Sequence, residues 1–276
     1  MNATCPHLNL TDVLTAVTTL FTSLLGLFFT LPVLFALLKL KAFNNAQYSL
    51  LCCSLAVADS GVLTVFLFYV SFSILLGKDR SLEVLNGRMG QLALVFWFAS
   101  LYAMLVIAAN RFVAIVKMQN CDSWFSKRVA AGLILLTWCL AVLHGCLYEF
   151  PGCNFLFDPC TYVWYFDNTS CKPLIFFVDF DHGMTAVAVI LTFNVLTCCK
   201  IKLHNKALSG LSTEETRKRQ KQEVYLFIQA FLNGSVFIFM LICFHFISPL
   251  LPGKLSTFLS SSWFWQVSHA TNGSVS

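Results

Sequence analysis

Residues 101–117 read LYAMLVIAANRFVAIVK. An apolar run ends in Asn110-Arg111-Phe112, and a second cation follows at Lys117. An arginine at the rim of a bilayer-length helix is costly unless it reaches water or has a task there. The surroundings decide whether this is a membrane helix and which end of it carries the charge.

The chain has 276 residues, 58% hydrophobic and 11% charged, where a soluble domain carries roughly 25% charged residues. With a mean hydropathy of +0.74, that deficit places the protein in a membrane. The 28 phenylalanines suit lipid-facing and helix-packing surfaces. The formal charge of +5 lies in connections between apolar runs, which does not make a nucleic-acid surface. No Ser/Gly linker or low-complexity tract divides the chain, so one domain is expected.

A spanning helix needs about 20 residues. Runs of that kind cover 13–38, 48–76, 89–116, 129–148, 174–199, 224–251 and 255–275. The last is the weakest, being rich in Ser, Gln, His and Asn. The expected fold is therefore an all-α integral membrane protein, a bundle of transmembrane helices behind a polar tail, residues 1–12. That tail has no cationic stretch before the first apolar run, so a removable signal peptide is not expected and the first run serves as the signal anchor.

Sidedness follows from the basic residues. Lys39 and Lys41 follow the first run. Arg111, Lys117, Lys127 and Arg128 lie about the third-to-fourth connection. Lys200, Lys202, Lys206, Arg217, Lys218, Arg219 and Lys221 fill the fifth-to-sixth. The amino terminus and the alternate connections hold only Lys78, Arg80, Arg88, Lys172 and Lys254. The positive-inside rule puts the amino terminus outside and Arg111 at the cytoplasmic end of the third helix. The sequons at Asn2, Asn9 and Asn168 all fall outside on this reading, as glycosylation requires.

With that placement, the chain resembles the seven-helix G-protein-coupled receptors of rhodopsin-like architecture. Leu55-Ala-Val-Ala-Asp59 is similar to the second-helix LxxxD motif, Asn110-Arg111-Phe112 to the D/E-R-Y motif, and Trp138 to the fourth-helix tryptophan. Three stretches are similar to the nematode serpentine receptor class x (Srx) chemoreceptors: NRFVAI at 110–115, RKRQKQEVYLFIQAFLNG at 217–234 and WQVSHATNG at 265–273. The resemblance spans nearly the whole chain. It implies a receptor with no catalysis, partnered by a small-molecule or odorant-like ligand, a heterotrimeric G protein and the lipid bilayer, in the plasma membrane and the cilia of sensory neurons.

The same resemblance assigns roles. Arg111, with Asn110 and Phe112, is the switch that meets the G protein. Because Asn110 replaces the usual acid, Glu223 at the inner start of the sixth helix is the expected partner of Arg111. Asp59 needs a countercharge or solvation at mid-membrane; water, a proton, or a sodium ion shared with Ser100 and Asn272 are the candidates. Asp179 and His182 stand i, i+3 on the fifth helix near its outer end and share a face. With Tyr102 and His245 they are the ligand candidates. No cysteine stands near Asn86, where the bridge to the second outer loop usually starts, so a bridge within that loop is expected, Cys160–Cys171 or Cys153–Cys171. The seventh helix lacks the NPxxY proline and tyrosine, and the sequence stops at Ser276 without an eighth helix. A shortened receptor with poor surface delivery, or a non-signalling transporter or channel, is the competing expectation. A metal-dependent membrane hydrolase is disfavoured, since His144, His182, His245 and His269 are scattered with no HxxxH pair.

Overall fold

The computed structural model describes residues 8–39, 46–77, 83–116, 126–150, 152–167, 176–207 and 231–275, with residues 171, 173, 225 and 228. Helix α1, Leu10–Lys39, opens on a reciprocal cap. Asn9 N–H donates to Asp12 Oδ2 at 2.8 Å, and Asp12 N–H donates to Asn9 Oδ1 at 3.0 Å, so the first turn satisfies its own orphan donors. Helix α2 runs Ala46–Val65, passes through a π turn at Phe66–Val70, and ends as Ser71–Leu76. Helix α3, Glu83–Val116, starts ahead of the apolar run at 89. Its first turns are mixed in character, and Arg88 pairs there with Glu149. Helix α4 is Lys127–Cys146, capped by Ser126, whose hydroxyl accepts from Val129 N–H.

Helix α5 begins as a π turn, Phe176–Asp181, and continues as His182–Ala207. Helix α6 covers Phe231–Leu250 and holds a further π turn, Cys243–Ile247. Helix α7 is built from Lys254–Phe258, the π turn Leu259–Trp263, and Phe264–Val275. Six of these helices are long and apolar enough to cross a membrane, and α7 is the exception. Its polar residues Ser261, Ser262, Gln266, Ser268, His269 and Asn272 are all buried. They face protein rather than lipid. Gln266 Nε2 donates to Thr19 O at 2.6 Å and Ser23 Oγ at 2.5 Å, and Trp263 Nε1 donates to Thr22 Oγ1 at 3.2 Å. Hydrocarbon offers no such partners, so these bonds fix α7 against α1. At Gly26 the helices come so close that a Cβ would lie 2.8 Å from Ala270 Cβ and from Leu63 Cδ1.

Helix α3 is the axis of the bundle: 67% of its most apolar stretch is buried, against 17% for α1. Phe21, Phe28 and Phe35 on α1 and Leu135 and Leu143 on α4 point outward, as lipid-facing residues do.

The helical expectation needs one amendment. Between α4 and α5 lies an antiparallel hairpin, β1 Phe155–Asp158 and β2 Val163–Phe166, with Phe155 opposite Phe166 and Phe157 opposite Trp164. Phe155, Phe157 and Trp164 are almost wholly buried, so the hairpin plugs the end of the bundle where α1 and α3 begin. Asp158 builds its turn, accepting from Thr161 Oγ1 at 2.8 Å and Cys160 N–H at 3.2 Å. Tyr162 adopts a left-handed backbone there, φ 63°. Its side chain is fully buried and its hydroxyl donates to Asp12 of α1, while its carbonyl accepts from Ser262 of α7. Burial and the adjacent carboxylate push the Tyr162 phenol above its ordinary pKa, so it stays a donor. Cys153 and Cys171 are bridged across the base of the hairpin. Cys160 is disulfide-bonded as well, whereas Cys52, Cys53 and Cys243 are buried free thiols.

Candidate functional site

Directly beneath the hairpin is a small pocket with a cavity volume of about 30 Å³. Leu94 and Trp97 come from α3, Phe155 from β1, Asp179 from α5, Met240, Leu241 and Phe244 from α6, and Trp265 from α7. The rings pack edge to face: Trp97 against Trp265 with centroids 6.2 Å apart, and Phe155 against Trp265 at 6.1 Å. Asp179 is 6% exposed and accepts from His245 Nε2 at 3.1 Å. Both residues sit in π turns, which recur at functional sites because they re-aim side chains within a continuous helix.

Asp179 and His182, expected to share a face, bond to different helices, Asp179 to α6 and His182 to α3. His182 Nε2 lies 2.8 Å from Tyr102 Oη, which is 2.7 Å from His144 Nδ1. The two imidazoles stack at 5.0 Å, and His144 Nδ1 also approaches Leu140 O at 3.2 Å. A carbonyl only accepts, so Nδ1 of His144 carries the proton and Tyr102 donates onward to His182. The four expected ligand residues thus form two groups, Asp179 with His245 and Tyr102 with His182. The pocket wall includes Asp179 and none of the other three.

Below the pocket a polar core crosses the bundle. Trp265 Nε1 donates to His269 Nε2 at 3.1 Å. An indole N–H cannot accept, so Nε2 is the acceptor and Nδ1–H donates to Asp59 Oδ1 at 2.6 Å. Ser100 Oγ on α3 donates to the same oxygen at 2.8 Å. Asp59 is completely buried, and its Oδ2 has no hydrogen-bond partner among the described residues. Asp59 and Ser100 meet as expected from the sequence. The α7 partner of the aspartate is His269, whereas the expected Asn272 is buried farther along the helix. Nearby, Trp138 Nε1 donates to Ser54 Oγ at 3.0 Å.

At the far end of α3, Arg111 is half-buried, donates to Tyr48 Oη of α2, and lies over that ring with Cζ 5.4 Å from its centroid. Phe112 packs on Phe193 of α5, and Asn110 is buried. Glu223, Asn2 and Asn168 lie outside the described residues. Among the described residues no group of three or more His, Cys, Asp or Glu side chains converges as a metal site would require.

The sequence that builds this bundle matches a known family. The model of the serpentine type 7TM GPCR chemoreceptor Srx family matches residues 20–276. The chain belongs to the Srx family. A curated relative of this Srx receptor, serpentine receptor class X 45 of Caenorhabditis elegans, is 24% identical over 284 residues, covering 96% of this chain and 78% of that protein. The crystal structure of squid rhodopsin superposes with a TM-score of 0.78 at 18% identity, covering 96% of this chain and 81% of the other, which establishes the seven-helix fold. The Srx receptor is a multipass plasma-membrane protein of a receptor family, not an enzyme.

Sequence reading passed over several residues that the Srx bundle uses. His269 was visible within WQVSHATNG, but its partner Asp59 is 210 positions away. Tyr48 has no motif around it. Asn86 marked the missing cysteine, and its amide does related work: Oδ1 accepts from Phe157 N–H at 2.8 Å and Nδ2 donates to Phe157 O at 2.9 Å. Gly90, one turn on, lets α3 touch the hairpin backbone, since a Cβ there would lie 1.8 Å from Phe155 O.

Proposed function

We propose that this Srx receptor is a chemosensory switch. A small-molecule ligand from outside occupies the pocket under the hairpin, and a heterotrimeric G protein engages the cytoplasmic end around Arg111. The observation that carries this is the hydrogen-bonded line from Trp265 through His269 to Asp59 and Ser100. Trp265 is pocket wall, and Ser100 belongs to the helix that bears Arg111. A ligand that moves the indole disturbs the polar core, and the helices are free to repopulate an open arrangement in which Arg111 leaves Tyr48. In the closed state Glu223 is the proposed acidic partner of Arg111, Phe112 holds the arginine's turn against α5, and buried Asn110 stands where the usual acid would be.

Asp59 Oδ2 is the natural place for a proton, a water or a sodium ion. The sodium reading has two oxygens to draw on, Oδ2 and Ser100 Oγ, while His269 turns an N–H donor toward the carboxylate rather than a ligand. Sodium-dependent thermal stability that is lost in Asp59→Asn distinguishes the ion from the proton.

The test of the switch is expression with a promiscuous G protein and an odorant panel. Arg111→Gln is expected to lower ligand-evoked signalling at least about tenfold, with surface staining retained. Undiminished signalling from that variant rejects the role of Arg111.

A further inference from the structure

The pocket wall has a composition that selects among ligands. Trp97, Phe155, Phe244 and Trp265 bring aromatic rings from α3, β1, α6 and α7. Asp179 is the one ionisable side chain among the lining residues described. No lysine or arginine is among them, so an anionic ligand would meet a carboxylate and ring faces, all of them electronegative.

Asp179 itself is underused. A carboxylate has about four lone-pair sites. Among the described residues Asp179 receives one hydrogen bond, from His245 to Oδ2. A carboxylate buried against apolar walls with so few donors is expensive to keep. His245 orients it: the imidazole is ringed by Phe180 and Phe244, each with its centroid 5.1 Å away, and so cannot swing freely. The remaining oxygen, Oδ1, belongs to a residue of the pocket wall. A cation placed there gains twice, from the carboxylate and from the quadrupoles of the rings.

We propose that the pocket takes a small organic cation, a primary to quaternary amine, with its ammonium head beside Asp179 and its apolar part among Trp97, Phe155, Phe244 and Trp265. This names the ligand class of the receptor reading above and rests on it for the consequence of binding, not for binding itself. Because little of the pocket is open, its lining side chains must move apart as the ligand seats.

The experiment uses the full-length receptor purified into lipid nanodiscs, without G protein. Phenyltrimethylammonium is compared with its neutral isostere tert-butylbenzene by thermal shift and by quenching of tryptophan fluorescence. The cation is expected to bind saturably and at least about tenfold more tightly than the isostere. Asp179→Asn is expected to weaken the cation about tenfold and leave the isostere unchanged. If that variant misfolds, Phe244→Leu, which removes the ring, is expected to weaken the cation by about fivefold and the isostere by less. Equal binding of cation and isostere, an unchanged cation affinity in either variant, or no saturable binding of the cation overturns the proposal. Cation binding without signalling would leave this inference standing and defeat the switch. Signalling to neutral odorants alone would do the opposite.

Discussion

The two ends of α3 are held in different ways. Where the helix begins, Asn86 grips the Phe157 peptide by both its N–H and its carbonyl, Gly90 admits the Phe155 backbone, and the Cys153–Cys171 bridge closes the hairpin that these contacts seat. Where it ends, Arg111 meets a phenol from α2. The first end rests on a hairpin that a covalent bridge closes, with the helix backbone at Gly90 packed on the Phe155 peptide, so turning one side chain leaves that seat in place. The second is tied through side chains whose rotation breaks the contact. A receptor that opens at one end while keeping its pocket shaped at the other needs this asymmetry.

Three variants probe that contrast. Replacing both Cys153 and Cys171 by serine removes a closure spanning 18 positions and is expected to cost about 3 kcal/mol. It should appear as a lower melting temperature of the purified receptor and reduced surface staining. A melting temperature equal to wild type would show that the plug holds itself. Asn86→Leu strands a peptide N–H and carbonyl on β1 and should cost about 2 kcal/mol, with ligand affinity falling alongside thermal stability. If affinity fell and stability did not, Asn86 would belong to the pocket rather than to the frame. Tyr48→Phe keeps the ring under Arg111 and removes the oxygen, a change worth about 1 kcal/mol. Basal signalling is expected to rise, by up to about fivefold, while the melting temperature hardly moves. A drop in basal signalling would make Tyr48 part of the active state instead.

Each surprise in the structure traces to a relation that linear reading does not contain. The seventh helix was the weakest apolar run because its polar residues face α1 and the core. Hydropathy averages around a helix and cannot see which side is wet. The face expected to carry Asp179 and His182 assumed α-helical spacing, whereas Asp179 lies in a π turn and the two side chains bond to different helices. The hairpin strands, four residues each, are too short to announce themselves inside an aromatic-rich loop. Asp59 and Ser100 were legible together because a resemblance supplied their adjacency; His269 was not, because its role depends on how α7 is turned toward α2.

What the sequence determined by itself is what a bilayer reads along one axis: which stretches are apolar enough to enter it, where the cations gather, and at which end of the third helix Arg111 lies. Those properties are local and additive along the chain. The tertiary structure alone decided who meets whom: Arg111 with Tyr48, Asp59 with His269, Asp179 with His245, and a plug of Phe155, Phe157 and Trp164 over the pocket. Such partnerships depend on the rotation of each helix about its axis and on contacts between distant segments, which are set only when the helices pack.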